Sequence, residues 1–305
     1  MHENDSSGYL DRTVGSPDFT HVNDTNGTNE PDLKTLLATL VSNVCIEETP
    51  SSNMINICRQ NVTDGAVRAF ARRTFTPEAK LSVVFMDDFN QAEGAVDEGG
   101  PKREFFRLLM VALKERSLFT GPQNNKNLSL DSRALQRGLY RIYGIMIAVA
   151  LVHGGLFPSF FSERLYQNLC SIPSSLPTLE EITDLDLQWK LKKISEAEDI
   201  TAARDAIMEA ADSLSLSGSL GHITTMEERD QLVQAAITFY VEGRTEEALL
   251  QFAEGLSTLG LLDMMKIHHS AFKTAFCSSD KPLKATDLMI LFPSWKQSVA
   301  TGNKS

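Results

Sequence analysis

The 305-residue sequence predicts a mostly α-helical α+β fold, a large lobe with a few short strands and a smaller helical subdomain. Three observations carry that prediction. Apolar residues recur at helical spacing in several long segments. One of those segments turns apolar on every side. Only two short runs, around residues 54–58 and 81–85, have the character of strands.

Residues 1–52 are predicted to be a disordered acidic tail. The first 31 residues are rich in Asn, Asp, Ser, Thr and Gly, and their few large apolar groups cannot offset the entropy of ordering. A short helix is predicted at 32–44, with Asp32 as its N-cap after Pro31. Thr49, Pro50, Ser51 and Ser52 then read as a linker. The large lobe is predicted over 53–292, with the smaller subdomain near 180–226 and a tail at 293–305.

Within the lobe, Met54–Cys58 has strand character and Asp64–Arg73 reads as helix. Thr76 and Pro77 break the chain, and Leu81, Val83 and Phe85 alternate with Ser82 and Val84 as a half-buried strand. The stretch NQAEGAVDEGGP is a turn-rich loop. Pro101 opens the next helix, because its missing N–H needs no partner in a first turn. Phe105, Leu108, Leu109, Ala112 and Leu113 give that helix one apolar face. After a polar loop, GPQNNKN, one helix is predicted from Ser132 to His153. Its second half is apolar all round, so it belongs at the centre of the domain. His153, Gly154 and Gly155 end it, since glycine takes the left-handed C-terminal position. Beyond Cys170 the texture changes. Residues 196–217 are small, acidic and Ala-rich, SLSGSLG (215–221) is a loop, and amphipathic helices follow at Glu227–Tyr240 and Thr245–Leu256.

Composition excludes several classes of function. The net charge is −11, and residues 1–50 hold nine acids against two bases, so the remainder is almost balanced. No basic surface of the kind that binds nucleic acid is expected, and Arg68/Arg72/Arg73 and Lys190/Lys192/Lys193 read as solvated helix faces. The most apolar run, Ile142–Val152, is too short to span a bilayer. With no apolar leader at the N-terminus and four scattered cysteines, the chain reads as cytoplasmic or nuclear with free thiols. No Gly-rich nucleotide loop, zinc-protease helix or nucleophile elbow occurs. His153-Gly154-Gly155 is a helix terminator rather than an oxyanion loop. His268 and His269 point to different helix faces, and the acidic residues Asp87–Glu98 lack EF-hand spacing, so neither metal nor cofactor is expected.

Two blocks stand out. LSVVFMDDFNQAEGAVDEGGPKREFFRLLM (81–110) contains Asp97, Gly99, Gly100, Pro101, Arg103, Glu104 and Phe105 between a strand and a helix. YRIYGIMIAVALVHGGLFPSFFS (140–162) is an apolar helix ending in a His-Gly-Gly turn before a Pro-x-x-Phe segment. With the lead-in at 55–75 and the helix at 249–262, they resemble the N-terminal lobe of HECT-type ubiquitin ligases, with most likeness to the G2/M-phase-specific branch. The resemblance implies a lobe that recruits a ubiquitin-charged conjugating enzyme and a second lobe whose cysteine accepts ubiquitin and passes it to a substrate lysine. In this reading, Asp97 to Phe105 and His153 to Gly155 are structural.

The family's cysteine sits in a Thr-Cys context near the C-terminus, and no such stretch occurs here; thirteen residues follow Phe292. The chain is therefore expected to be inactive alone, either as a ligase lacking its catalytic lobe or as a HECT-like interaction module. Cys277, after Phe272 and Phe276, reads as a half-buried structural thiol. Residues 190–225 lack the family's strands and aromatics, which leaves Trp189, Leu214, Leu216 and Leu220 as the expected contacts for a conjugating enzyme.

Overall fold

Residues 53–58 and 81–86 pair in parallel, Asn53 opposite Leu81 and Cys58 opposite Met86, in a computed structural model that describes residues 31–42, 44, 52–87, 91–92 and 100–277. Parallel neighbours need a crossover between them. Here β1 (Asn53–Cys58) leads into α2 (Val62–Phe70), preceded in the chain by α1 (Leu33–Ser42), and β2 (Leu81–Met86) follows. Asp32 accepts the Thr35 N–H at 2.9 Å at the start of α1. The turn before β2 is held by the buried Asn53, whose side chain donates to Thr76 O at 2.7 Å and accepts from Thr76 N at 3.1 Å. Ile55, Ile57, Leu81, Val83 and Phe85 are the buried positions of the two strands.

Next come α3 (Gly100–Lys114), a two-residue hairpin pair β3 (Phe119–Thr120) and β4 (Asn127–Leu128), α4 (Ser132–Gln136) and α5 (Leu139–Gly154). On α3 the buried residues are Phe105, Phe106, Leu109, Met110 and Leu113. Phe106 and Met110 widen the expected face, while Leu108 and Ala112 lie at its half-buried margin. The single helix expected over 132–153 is two. Gly138 takes φ 64° and ψ 26°, which breaks the run between α4 and α5. Asp131 caps α4, accepting from Arg133 N and Ala134 N, and the Tyr140 hydroxyl bridges Asp131 N and Ser129 O.

Helix α5 is buried on all sides from Met146 to Val152 and ends at Gly155, at φ 65°. Its closest neighbour is α11 (Glu246–Leu256), which follows α6 (Glu163–Cys170), α7 (Leu185–Ser195), α8 (Ile200–Glu209), α9 (Ala211–Leu216) and α10 (Met226–Val241). Then come α12 (Leu261–Ile267) and α13 (His269–Phe276). The helix expected over 249–262 therefore breaks at Leu259 and Gly260, both left-handed.

Two separate apolar cores result. The first gathers α1 to α6 and α11 to α13 around α5. The second is built by Ile182, Leu191, Ile194, Ala203, Ile207, Leu214, Ile223, Val233 and Ile237, so α10 contributes to it beyond residue 226.

Candidate partner-binding face and the thiols

The residues of the first motif block serve α3 and its surroundings. Phe105 is fully buried, and Pro101 lies in the first helical turn. Glu104 accepts from Nε and one terminal nitrogen of Arg107, each at 2.9 Å, and those bonds hold its carboxyl below the usual carboxylate range; Arg59 approaches it at 3.5 Å. Arg103 is exposed, Gly100 is the first residue of the helix, and Asp97 and Gly99 lie outside the described residues. In the second block His153 Nε2 is 2.7 Å from Pro77 O, tying the end of α5 to the turn that Asn53 also holds. Burial pushes the His153 pKa down, so a neutral ring donating from Nε2 fits this contact. Gly154 and Gly155 close the helix.

The four expected partner contacts divide. Trp189 is 54% exposed on α7, with Lys193 Nζ 5.2 Å from its ring centroid. Leu216 is 83% exposed at the end of α9, and Leu220 46% exposed in the loop after it. Leu214 is the exception and corrects the expectation: at 0% exposure it is a member of the second core, where burial of its side chain holds α9 in place. A partner at the surface does not touch it. Leu216 borders a cavity of about 430 Å³ walled by Leu130, Leu187, Phe239 and Tyr240, and Trp189 lies outside that lining. Leu130 and Phe239 carry no signal in the sequence that links them, because they stand more than a hundred residues apart. Their proximity arises only where the large lobe meets the second core.

Burial governs two of the thiols that are described. Cys170 is buried, and burial raises its pKa. Cys277 follows α13, half-buried, with its sulfur 3.7 Å from Ser162 O, and burial pushes its pKa up to about 11. A nucleophilic cysteine needs the opposite shift. Relative to a thiol at 9.0, Cys277 holds roughly a hundredfold less thiolate at pH 8. Alkylation followed by mass spectrometry at pH 8 is therefore expected to modify Cys277 far more slowly than a free thiol, the rate climbing until the pH passes 11. Rapid labelling at pH 8 contradicts this. Cys58 is half-buried, and Cys45 lies outside the described residues.

Among the described residues no group of three or more His, Cys, Asp or Glu is arranged to hold a metal ion, and no helix is long and apolar enough to cross a membrane.

Comparison with known proteins bears on these features. A family model described as HECT-domain (ubiquitin-transferase) matches residues 101–293. The G2/M phase-specific E3 ubiquitin-protein ligase of Gallus gallus is 36% identical over 239 residues, covering 78% of this chain and 32% of that protein. Its Homo sapiens counterpart is 33% identical over 257 residues, covering 84% and 36% respectively. The Homo sapiens E3 ubiquitin-protein ligase HECW1 is 26% identical over 223 residues, covering 68% of this chain and 13% of its own length. The chain spans about a third of the length of the first two relatives. With α3, α5 and the His-Gly-Gly turn inside the matched region, the chain belongs to the HECT-domain family.

Proposed function

We propose that this chain acts as the recruiting lobe of a HECT-type ubiquitin ligase, holding a ubiquitin-conjugating enzyme on the smaller helical unit built around the second core. The observation that carries this reading is the exposure of Trp189, Leu216 and Leu220 on that one unit. Three large apolar side chains left in solvent on one unit supply candidate anchors, and aromatic anchors carry much of the energy of protein interfaces. Ubiquitin arrives as the thioester cargo of that partner. Free, scattered thiols support a reducing cytoplasmic or nuclear setting.

Binding of the whole chain to a panel of ubiquitin-conjugating enzymes tests the proposal. At least one member is expected to bind, and Trp189→Ala and Leu216→Ala are each expected to weaken it about tenfold, the size of one truncated anchor. Lack of binding across the panel, or indifference of every binder to both substitutions, refutes it.

A second reading, a HECT-like interaction module that does no transfer, is supported by the raised Cys277 thiol. Both readings expect no DTT-sensitive ubiquitin adduct on this chain after incubation with a ubiquitin-charged conjugating enzyme, and an adduct lost in Cys277→Ala overturns the structural role given to Cys277. Ubiquitin transfer by a longer chain that joins this lobe to one bearing a Thr-Cys cysteine separates them in favour of the first.

A further inference from the structure

The chain passes between the two cores twice, through residues 171–178 and through 241–245. Arg164, on α6 of the large lobe, grips both passages at once. Its Nε and one terminal nitrogen donate to the two carboxylate oxygens of Glu181 at 2.5 and 2.7 Å. The other terminal nitrogen donates to Glu242 at 2.9 Å, to the Ser175 carbonyl at 3.0 Å and to the Ser174 hydroxyl oxygen at 3.3 Å. Only 9% of the Arg164 side chain is exposed.

Space lies on both sides of this guanidinium. A cavity of about 460 Å³ opens between Leu165 and Asn168 of α6 and Thr238 and Glu242 at the end of α10. Another of about 520 Å³ lies toward Asn127, Gln167 and Glu180. At this point the lobe and the smaller unit are joined by directional bonds with unfilled volume around them, and each apolar core closes on itself.

That arrangement favours orientation over bulk adhesion. A planar guanidinium binding a carboxylate through two parallel bonds fixes an angle as well as a distance. Burial works to raise the Glu181 carboxyl, but the bonds from Arg164 and from the Thr178 N–H outweigh it and hold the pKa below the usual value. The pair therefore stays ionised at neutral pH. Removing one member leaves a part-buried charge without its partner, and that charge regains water by moving outward. Where two units of one chain meet through polar bonds beside open cavities, the bonds that restrain relative motion set the geometry.

We propose that Arg164 is an ionic latch that sets the orientation of the smaller helical unit on the large lobe, and with it the direction in which the Trp189 and Leu216 surface presents a bound partner. The presentation of a conjugating enzyme rests on the function proposed above; the latch itself does not.

Spin labels on Glu115→Cys in the large lobe and Met208→Cys in the smaller unit, both exposed sites, read the orientation as a distance distribution. The background carries Cys45→Ser and Cys58→Ser. A single narrow distribution is expected with Arg164 intact, and Arg164→Gln is expected to at least double its width while circular dichroism and amide protection within each core are kept. Glu242→Ala, which frees one passage only, is expected to fall between them. If Arg164→Gln fails to fold, Glu242→Ala alone decides. A distribution that is already broad with Arg164 intact, or unchanged widths in the folded variants, overturns the latch. Because the readout needs no partner, loss of conjugating-enzyme binding is scored separately.

Discussion

Replacing Gly255 by alanine is expected to destabilise the large lobe by at least ~3 kcal/mol, because the new methyl group has nowhere to go. A Cβ at Gly255 would sit 2.0 Å from the Arg141 carbonyl oxygen, 2.8 Å from its carbonyl carbon and 3.0 Å from the Cα of Gly144. The reverse contact is as tight, since a Cβ at Gly144 would meet Phe252 O at 2.4 Å and Leu256 N at 2.6 Å. All of these are backbone atoms of helices α5 and α11, and none can rotate aside. The only relief is to separate the two helices, which opens the core around Phe252 and Leu256, both fully buried. Alanine favours a helix over glycine by ~1 kcal/mol, so the clash must exceed that gain for the sign to hold. Backbone overlaps of this depth do. Thermal unfolding is expected to drop by about 10 °C, given roughly 2–4 °C per kcal/mol for a domain of this size. Gly221→Ala, whose Cβ meets nothing within 4 Å, serves as the neutral control. A Gly255→Ala protein melting within a degree or two of the parent would show that α5 and α11 do not cross at these glycines.

Phe161→Ala is expected to cost about 4 kcal/mol, in the upper range for a fully buried phenylalanine. Its ring is 1% exposed and stands between four others: Phe119 at 6.3 Å, Phe160 at 5.3 Å, Phe252 at 5.8 Å and Phe276 at 5.4 Å between centroids. Apart from the adjacent Phe160, those neighbours come from the hairpin, α11 and α13, so the cavity left by truncation cannot collapse by moving one element. The backbone has a share as well: Phe161 N donates to Phe276 O at 3.0 Å, and the flanking residues exchange bonds with Lys126. Phe161→Leu keeps most of the volume and is expected to recover more than half of the loss in chemical denaturation. Equal losses for alanine and leucine would place the cost in the backbone ladder and not in ring packing.

Both predictions involve residues whose importance lies in pairs distant in the chain, and that is where reading the sequence stopped. Leu81, Val83 and Phe85 were legible as a buried strand face because a strand writes its burial at every second residue. Phe105, Leu109 and Leu113 were legible for the same reason at helical spacing, and the all-round apolar run of α5 marked it as central. Gly138 is invisible as a break in the sequence, because a single glycine in a helical pattern is usually tolerated; only its left-handed backbone separates α4 from α5. Leu214 was misplaced because Leu214, Leu216 and Leu220 look alike in sequence, and the choice of which one is buried is made by α7, α8 and α10 closing over α9.

Arg164 shows the remaining gap. In the sequence it is one of 29 cations, and Glu181 and Glu242 are two acids among forty. Nothing local distinguishes them, since a salt bridge depends on distance in space and carries no periodicity along the chain. By itself the sequence determined the two strand-like runs, the apolar faces of α3 and α5, the family blocks and the lack of familiar catalytic signatures, because each is written in neighbouring residues. The crossing of α5 with α11, the five-ring cluster around Phe161, the burial of Leu214 and the grip of Arg164 on both passages were decided by tertiary packing alone, because each needs side chains tens of residues apart to compete for the same volume.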